Sequence, residues 1–134
     1  AVAAGECDVA VANHYYLARL IRSDKGEDNA VAASVGMIFP NQDGRGSHAN
    51  VSGAGVAAHA PNRDAAVKFV EYLATPSAQA YFADGNNEWP VVADVKLTPV
   101  LEEWGDIKTD SVAVIAFGEH NADALKVMDR AGWQ

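Results

Sequence analysis

The sequence is poor in cysteine and in long apolar runs, and each shortage excludes a class of structure. Cys7 is the only cysteine, so an intrachain disulfide and a CxxC zinc or redox motif are both excluded. We expect Cys7 to be a small buried residue beside a strand. The longest apolar stretch, residues 112–117, is far shorter than the roughly 20 residues that a membrane-spanning helix needs.

Basic residues are also scarce. Lysine and arginine number 10 against 18 acidic residues, which gives a formal net charge of −8. Such a chain repels nucleic acid and anionic membrane surfaces, so we expect neither as a main partner. The acidity suits cation binding and plain solubility equally well. Apolar residues make up 49% of the chain and charged residues 21%, a composition typical of a folded globular protein.

The chain begins without methionine, and it lacks the basic region and apolar core of a signal peptide. Residues 1–6 lead directly into an apolar segment. We expect the sequence to be a piece cut from a larger protein, although a processed mature terminus would also lack methionine.

Two short apolar segments are typical of buried strands. Residues 8–12 (DVAVA) and 32–39 (AASVGMIF) are valine-containing or isoleucine-containing runs bounded by turn-forming residues. A third segment, residues 49–58, is extended, but its glycines suggest a bend or a close backbone approach.

Periodic apolar residues predict helices in the rest of the chain. Residues 14–23 form one helix, with Asn13 as its N-cap and Gly26 as its stop, and residues 26–29 form a polar turn. Gly132 stands at the C-terminal cap of the last helix. The other predicted helices span residues 63–74, 76–85, 99–104 and 119–131. The order predicts an α/β chain with too few strands for its helices, so part of the fold is expected to be missing.

The most informative residues follow the first predicted strand. Asn13, His14, Tyr15 and Tyr16 lie between that strand and a helix, where open α/β sheets bind ligands. A phenol has a reference pKa of about 10, but a bound highly charged cation can displace its proton. The resulting phenolate is a hard anionic ligand, which suits iron(III) better than copper(I) or zinc.

The spacing of the tyrosines leaves a structural alternative open. Adjacent residues in a helix diverge by about 100°, so Tyr15 and Tyr16 can meet one ion only in the turn before the helix becomes regular. Many tyrosine pairs place one ring in the core and the other at the surface.

Several stretches resemble segments of the ferric-ion-binding periplasmic receptors. They occur in the family's order and with similar spacing, and together they cover almost the whole chain. The stretches are residues 5–16 (GECDVAVANHYY), 46–56 (GSHANVSGAGV), 62–79, 88–91 (EWPV), 121–124 (NADA) and 129–133 (DRAGW). Each stretch is modest alone, but their combination is specific.

The resemblance implies a fold and a site. The family has two α/β lobes joined by a hinge, the type II periplasmic binding protein plan, with iron in the cleft. By resemblance, Tyr15 and Tyr16 are iron(III) ligands, and Asn13 helps to hold a synergistic anion, phosphate or carbonate. His14 replaces a threonine that is common in the family. It could be an extra ligand, an anion contact or a support for the ligands from outside the coordination shell, and we expect it to be a solvated or capping group.

The resemblance also implies how the chain is divided. Residues 1–45 would belong to the C-terminal lobe, residues 46–96 to a hinge-crossing segment and helices of the N-terminal lobe, and residues 97–134 to the C-terminal lobe again. Both lobes would be incomplete. We therefore expect the chain to pair with the missing N-terminal portion of the receptor or to form a homodimer that covers the exposed core.

The implied function is capture of iron(III) in the periplasm and delivery to an ABC permease in the inner membrane, without catalysis. The same fold could instead bind thiamine, a phosphonate, a polyamine or a sugar. A small hydrolytic or metallo-enzyme is a remote alternative. His48, Asn50 and Ser52 alternate along an extended segment, but no GxSxG motif or spaced acid accompanies them.

Two further groups of residues invite a functional interpretation. His120 and Asp123 have helical spacing, and we expect them in an N-terminal helical turn rather than in a metal site. The three tryptophans, Trp89, Trp104 and Trp133, are expected to be packing residues because no basic patch accompanies them.

Overall fold

The structure, a computed structural model, describes residues 1–133, which are organised mainly as helices. A short 3₁₀ turn, Val2–Ala4, precedes six α-helices in the described part of the chain. The helices are α1 (His14–Ile21), α2 (Gly26–Ala33), α3 (Arg63–Leu73), α4 (Pro76–Asn86), α5 (Pro99–Trp104) and α6 (Val114–Arg130). No helix within residues 1–133 has both the length and the apolar character to cross a membrane.

The two predicted strands do not form in the described residues. Residues 8–12 and 35–39 have no paired neighbour, and the β pairing in residues 1–133 is limited to one parallel bridge between Ser47 and Thr109. A strand needs a second strand to satisfy its N–H and C=O groups, and none lies beside these segments. Cys7 is exposed for the same reason, which corrects the expectation that it is buried.

Helix α2 also overturns the predicted turn at residues 26–29 and the start of the second strand. It begins at Gly26, which we expected to stop a helix. Glu27 and Asp28 lie in its first turn, where negative charge is favourable at the positive end of the helix dipole. The alanines that follow are strong helix formers, and they outweigh the apolar pattern that resembled a buried strand.

The remaining helices agree with the sequence apart from their ends. Helix α4 begins at Pro76, and the hydroxyl oxygen of Thr75 accepts a bond from the amide of Ala78 (3.3 Å), which caps the helix. Helix α6 begins at Val114, ahead of the predicted residue 119. Gly132, the residue after the C-cap of α6, adopts φ 69°, and the amide of Trp133 donates to the carbonyl of Met128 (3.0 Å), so the predicted glycine stop is confirmed.

The chain forms two compact units. The first unit contains Ala1–Ile38 and Ala54–Asp106, and the second contains Phe39–Gly53 and the residues from Ile107 onward. In the first unit, α1 packs against α2 and α5, and α3 packs against α4. The buried apolar side chains of this unit are Ala18, Ala78, Ala83, Val100 and Leu101.

The second unit is organised around a close approach of two segments. The amide of Ser47 donates to the carbonyl of Lys108, and the amide of Asp110 donates to the carbonyl of Ser47, both at 2.8 Å. Gln42 adds a side-chain clamp, because its Oε1 accepts from the Lys108 amide (2.9 Å) and its Nε2 donates to the Lys108 carbonyl (3.0 Å). The assignment of either unit to a lobe of a two-lobe receptor stays a prediction.

Candidate functional site

The backbone places the tyrosine motif in the first turn of α1. Asn13 is the N-cap residue, with extended φ −73° and ψ 140°, and the amide of Tyr16 donates to its carbonyl (3.2 Å). The predicted cap position is therefore confirmed, but the Asn13 side chain does not cap the helix. The helix starts at His14, so both tyrosines lie within it rather than in the preceding turn.

The two phenol rings are nevertheless neighbours. The ring centroids of Tyr15 and Tyr16 are 4.7 Å apart, at an interplanar angle of 53°. Tyr15 is half-buried, whereas Tyr16 is 53% exposed. Tyr15 is thus partly enclosed by the protein, whereas Tyr16 is accessible to a ligand.

Tyr15 has two polar neighbours. Nδ2 of Asn13 donates a hydrogen bond to the phenol oxygen of Tyr15 (2.9 Å). The guanidinium carbon of Arg19 lies 5.7 Å from the centre of the Tyr15 ring. Both contacts hold the Tyr15 side chain in a defined position beside Tyr16.

His14 lies behind the tyrosines in an aromatic setting. Its ring centroid is 4.5 Å from that of Trp89, 5.6 Å from that of Tyr15 and 6.1 Å from that of Trp104. Its Nε2 is 2.7 Å from the carbonyl oxygen of Asn87, and because a carbonyl only accepts, Nε2 must carry the proton. The expectation that His14 is a solvated or capping group is therefore wrong.

Burial also affects the charge of His14. The half-buried ring has lost water, and this lowers the pKa of His14 below its usual value. The bond to Asn87 and the negative charge of Glu88 oppose the effect but do not overcome it. The ring is thus biased towards its neutral form.

Asn87 is a site residue that the sequence analysis missed. It is the C-cap of α4, with left-handed φ 57° and ψ 40°, and only 3% of its surface is exposed. Arg22, at the other end of α1, donates to Oδ1 of Asn87 (2.7 Å). The signal in the sequence was an asparagine just after a helix, a residue type that tolerates this backbone conformation. Its long-range partners could not be inferred from spacing.

Of the residues of the hydrolase alternative, His48 makes contacts that belong to the fold. Nδ1 of His48 lies 3.8 Å from the almost fully buried carboxylate of Asp110, and its ring contacts that of Phe117 at 5.0 Å. The hydroxyl of the neighbouring Ser47 donates to the carbonyl of Pro40 (2.7 Å). The contacts of His48 and Ser47 therefore serve the fold.

The other candidate residues make contacts that belong to the fold or lie at the surface. Asp123 forms an exposed ion pair with Lys126 (2.9 Å), and His120 lies in the middle of α6 rather than in its first turn, which corrects that expectation. Trp89 and Trp104 are packing residues, as predicted, and lie beside His14, whereas Trp133 is 64% exposed, which corrects the expectation for that residue. Within residues 1–133, no group of three or more His, Cys, Asp and Glu side chains could hold a metal ion.

Comparison with known proteins shows which family the chain resembles. Residues 1–109 match the family described as bacterial extracellular solute-binding protein. Iron uptake protein A2 of Synechocystis sp. is 49% identical over 136 aligned residues. That alignment includes the whole of this chain but 39% of the relative, so the chain spans about two fifths of the curated relative's length.

Solved structures resemble the chain over almost all of its length. A Trichodesmium protein in complex with iron and citrate ligands is 58% identical, with a TM-score of 0.92, and the match covers 99% of this chain and 42% of that one. The ferric binding protein from Campylobacter jejuni is 39% identical, with a TM-score of 0.90, and the match covers 99% of this chain and 42% of that one.

Proposed function

The chain belongs to the bacterial extracellular solute-binding proteins, and we propose that it is the part of an iron(III) receptor that carries two tyrosine ligands. The observation that carries the proposal is the contact of Tyr15 and Tyr16, whose ring centroids lie 4.7 Å apart at the start of α1. Relatives that match nearly the whole chain are named for iron uptake or ferric binding, and one was solved with iron.

The proposed chemistry is proton exchange for metal. Each tyrosine gives up its phenol proton when its oxygen binds iron(III), so the oxygen becomes a hard anionic ligand. Asn13 supports Tyr15 through its hydrogen bond to the phenol oxygen. His14 donates from Nε2 to the carbonyl of Asn87, and we propose that it supports the site from outside the ligand set.

We propose that a small anion completes the site beside the metal. Nδ2 of Asn13 has two N–H groups, and Tyr15 accepts from one of them. The second can donate to phosphate or carbonate. Citrate is a third candidate, because the Trichodesmium relative was solved with iron and citrate.

The whole receptor is also part of the proposal. We infer that the segments making up the remaining three fifths of the relatives' length supply the other ligands and the partner strands for residues 8–12 and 35–39. We call this chain joined to those segments the full-length receptor. It would have the two-lobed α/β fold, act in the periplasm without catalysis, and deliver iron to an ABC permease. If those segments are absent, a homodimer of the chain would cover the same surface in their place.

A panel of cargoes tests the proposal against the alternatives. The thermal midpoint of the full-length receptor is measured with ferric citrate, ferric ion plus phosphate or carbonate, thiamine, a phosphonate, a polyamine and a sugar. A ligand at 100 times its Kd stabilises a protein by about 2.7 kcal/mol, so the true cargo gives a clear rise. Among the cargoes, we expect only those containing ferric iron to raise the thermal midpoint. The anion that fits the site best should give the largest rise. A rise with an organic cargo and none with iron would refute the iron assignment.

A further inference from the structure

Both ends of helix α1 are tied to the last turn of α4. His14, the first residue of α1, donates from Nε2 to the carbonyl oxygen of Asn87 (2.7 Å). Arg22, the C-cap of α1, donates from Nη1 to Oδ1 of the same Asn87 (2.7 Å). A single residue 73 positions from His14 therefore accepts hydrogen bonds from the two ends of one helix.

Arg22 makes the connection at its end stronger than a single bond. Its Nη1 also donates to the carbonyl of Asp84 (2.5 Å), and its Nη2 donates to a carboxylate oxygen of Asp84 (2.9 Å). The planar guanidinium has donors in a fixed arrangement, so satisfying three acceptors on α4 fixes the orientation of the side chain. The pair with Asp84 is largely exposed, and its direct contribution to stability is small.

Asn87 is suited to be a fixed anchor. It is almost fully buried, and its own amide donates to the carbonyl of Ala83 (3.1 Å), which ends α4. Its left-handed backbone turns the carbonyl away from the helix axis, where it remains available to His14. The ring of His14 is held in turn by Trp89, at a centroid distance of 4.5 Å.

We propose that His14, Arg22 and Asn87 form a latch that sets the rotation and position of α1, and thereby presents the tyrosine pair to iron. His14 directly precedes Tyr15, so a bond that holds the first residue of the helix also fixes where the next two side chains start. The two attachments lie at opposite ends of a helix of only eight residues, which resists both rotation and tilt. His14 and Arg22 are positioning residues, and neither needs to touch the metal.

The effect of the latch on iron binding rests on the proposed function. The hydrogen bonds that form the latch do not depend on it. Groups that orient metal ligands from outside the coordination shell typically change metal affinity by about 10–100-fold when they are removed. A preformed tyrosine pair binds more tightly because the ordering of the ligands is complete before the metal arrives.

The test uses two substitutions of His14 in the full-length receptor. His14→Phe keeps a flat ring next to Trp89 but removes the N–H donor, whereas His14→Gln has an amide nitrogen that can reach the same carbonyl. Hydrogen exchange of the α1 amides is measured without iron, and the affinity and phenolate-to-iron absorption band are measured with it. We expect His14→Phe to speed exchange in α1, weaken iron binding about 10–100-fold and shift the band, and His14→Gln to restore all three.

A third variant guards against simple misfolding. Asn87→Gly keeps the left-handed backbone and the carbonyl acceptor of His14 but removes one of the three acceptors of Arg22, the Oδ1 of Asn87, so exchange should increase mainly at the C-terminal end of α1. Unchanged exchange and unchanged affinity in both His14→Phe and Asn87→Gly would overturn the latch. If the parent fails to bind iron but the exchange pattern follows the prediction, the proposed function fails and the latch stands.

Discussion

At the scale of single residues, one histidine links the tyrosine pair to the rest of its unit. His14 contacts Tyr15 and Trp89 with its ring and Asn87 with its Nε2, so its side chain is surrounded by protein on several sides. The neutral ring already donates its N–H to a carbonyl. A second proton would place a positive charge in a partly dehydrated environment, which is unfavourable.

The lowered pKa of His14 predicts that mild acid destabilises the iron-free protein. The unfolded chain takes up a proton below the usual histidine pKa, while the folded chain takes it up only at a lower pH. Stability due to His14 is thus complete above the usual pKa, falls as pH drops through it, and is fully lost below the lowered value. Denaturant unfolding at a series of pH values should show this loss in the parent.

The His14→Gln variant isolates that contribution from the titration of the carboxylates. We expect the difference in unfolding free energy between parent and variant to change with pH in the window just described, and to be flat at higher pH. A constant difference across the window would show that the histidine is equally easy to protonate in the folded and unfolded chains.

At the scale of elements, a glycine allows two segments of the second unit to meet. Gly46 has φ +97°, and a Cβ built there would lie 2.5 Å from the carbonyl carbon and 2.6 Å from the carbonyl oxygen of Thr109. The obstacle is backbone, which cannot move without breaking the adjacent bridge between Ser47 and Thr109. Only a residue without Cβ fits this position.

Gly46→Ala should therefore destabilise the second unit by more than about 1 kcal/mol, since both the backbone conformation and the space are incompatible with alanine. Gly44→Ala is a matched control, because its nearest heavy atom would be the carbonyl oxygen of Asn41 at an ordinary 3.7 Å. The denaturant midpoint should fall clearly in the first variant and little in the second. Equal midpoints would mean that the two segments do not approach each other so closely.

The elements that could be predicted from sequence are those with local signals. Thr75 before Pro76 identified the start of α4, and Gly132 identified the end of α6, because caps act within a few residues. The strands could not be judged locally, since a strand depends on a partner segment. The tyrosine motif was found from chemistry and from family resemblance, whereas Asn87 was missed because its role depends on contacts over 60 residues away along the chain.

At the scale of the whole molecule, apolar side chains remain exposed in segments for which we propose partners in the rest of the receptor. Val9, Val11 and Ile38, in the segments without partner strands, are 75%, 85% and 77% exposed. The described part of α6 has no buried residue, although its sequence has an apolar stripe. Burying apolar surface gains about 25 cal/mol per Å², so these positions favour association with a complementary segment.

The chain alone should therefore bind a hydrophobic dye more strongly than the full-length receptor does. We expect the remaining segments to quench the dye signal when they are added in trans or joined covalently, because they cover the exposed positions. Sedimentation at several concentrations would separate this from self-association of the chain. A chain that stays monomeric and binds no dye would contradict the account of an incomplete core.

The central claim is that Tyr15 and Tyr16 bind iron(III), and a visible absorbance titration with ferric citrate tests it most directly. The full-length receptor is compared with its Tyr15→Phe/Tyr16→Phe variant and with Tyr72→Phe/Tyr81→Phe, which removes two exposed phenols elsewhere. We predict a phenolate-to-iron charge-transfer band in the parent and in the Tyr72/Tyr81 variant, and its loss in the Tyr15/Tyr16 variant. Absence of the band in the parent, or its persistence without Tyr15 and Tyr16, would contradict the claim.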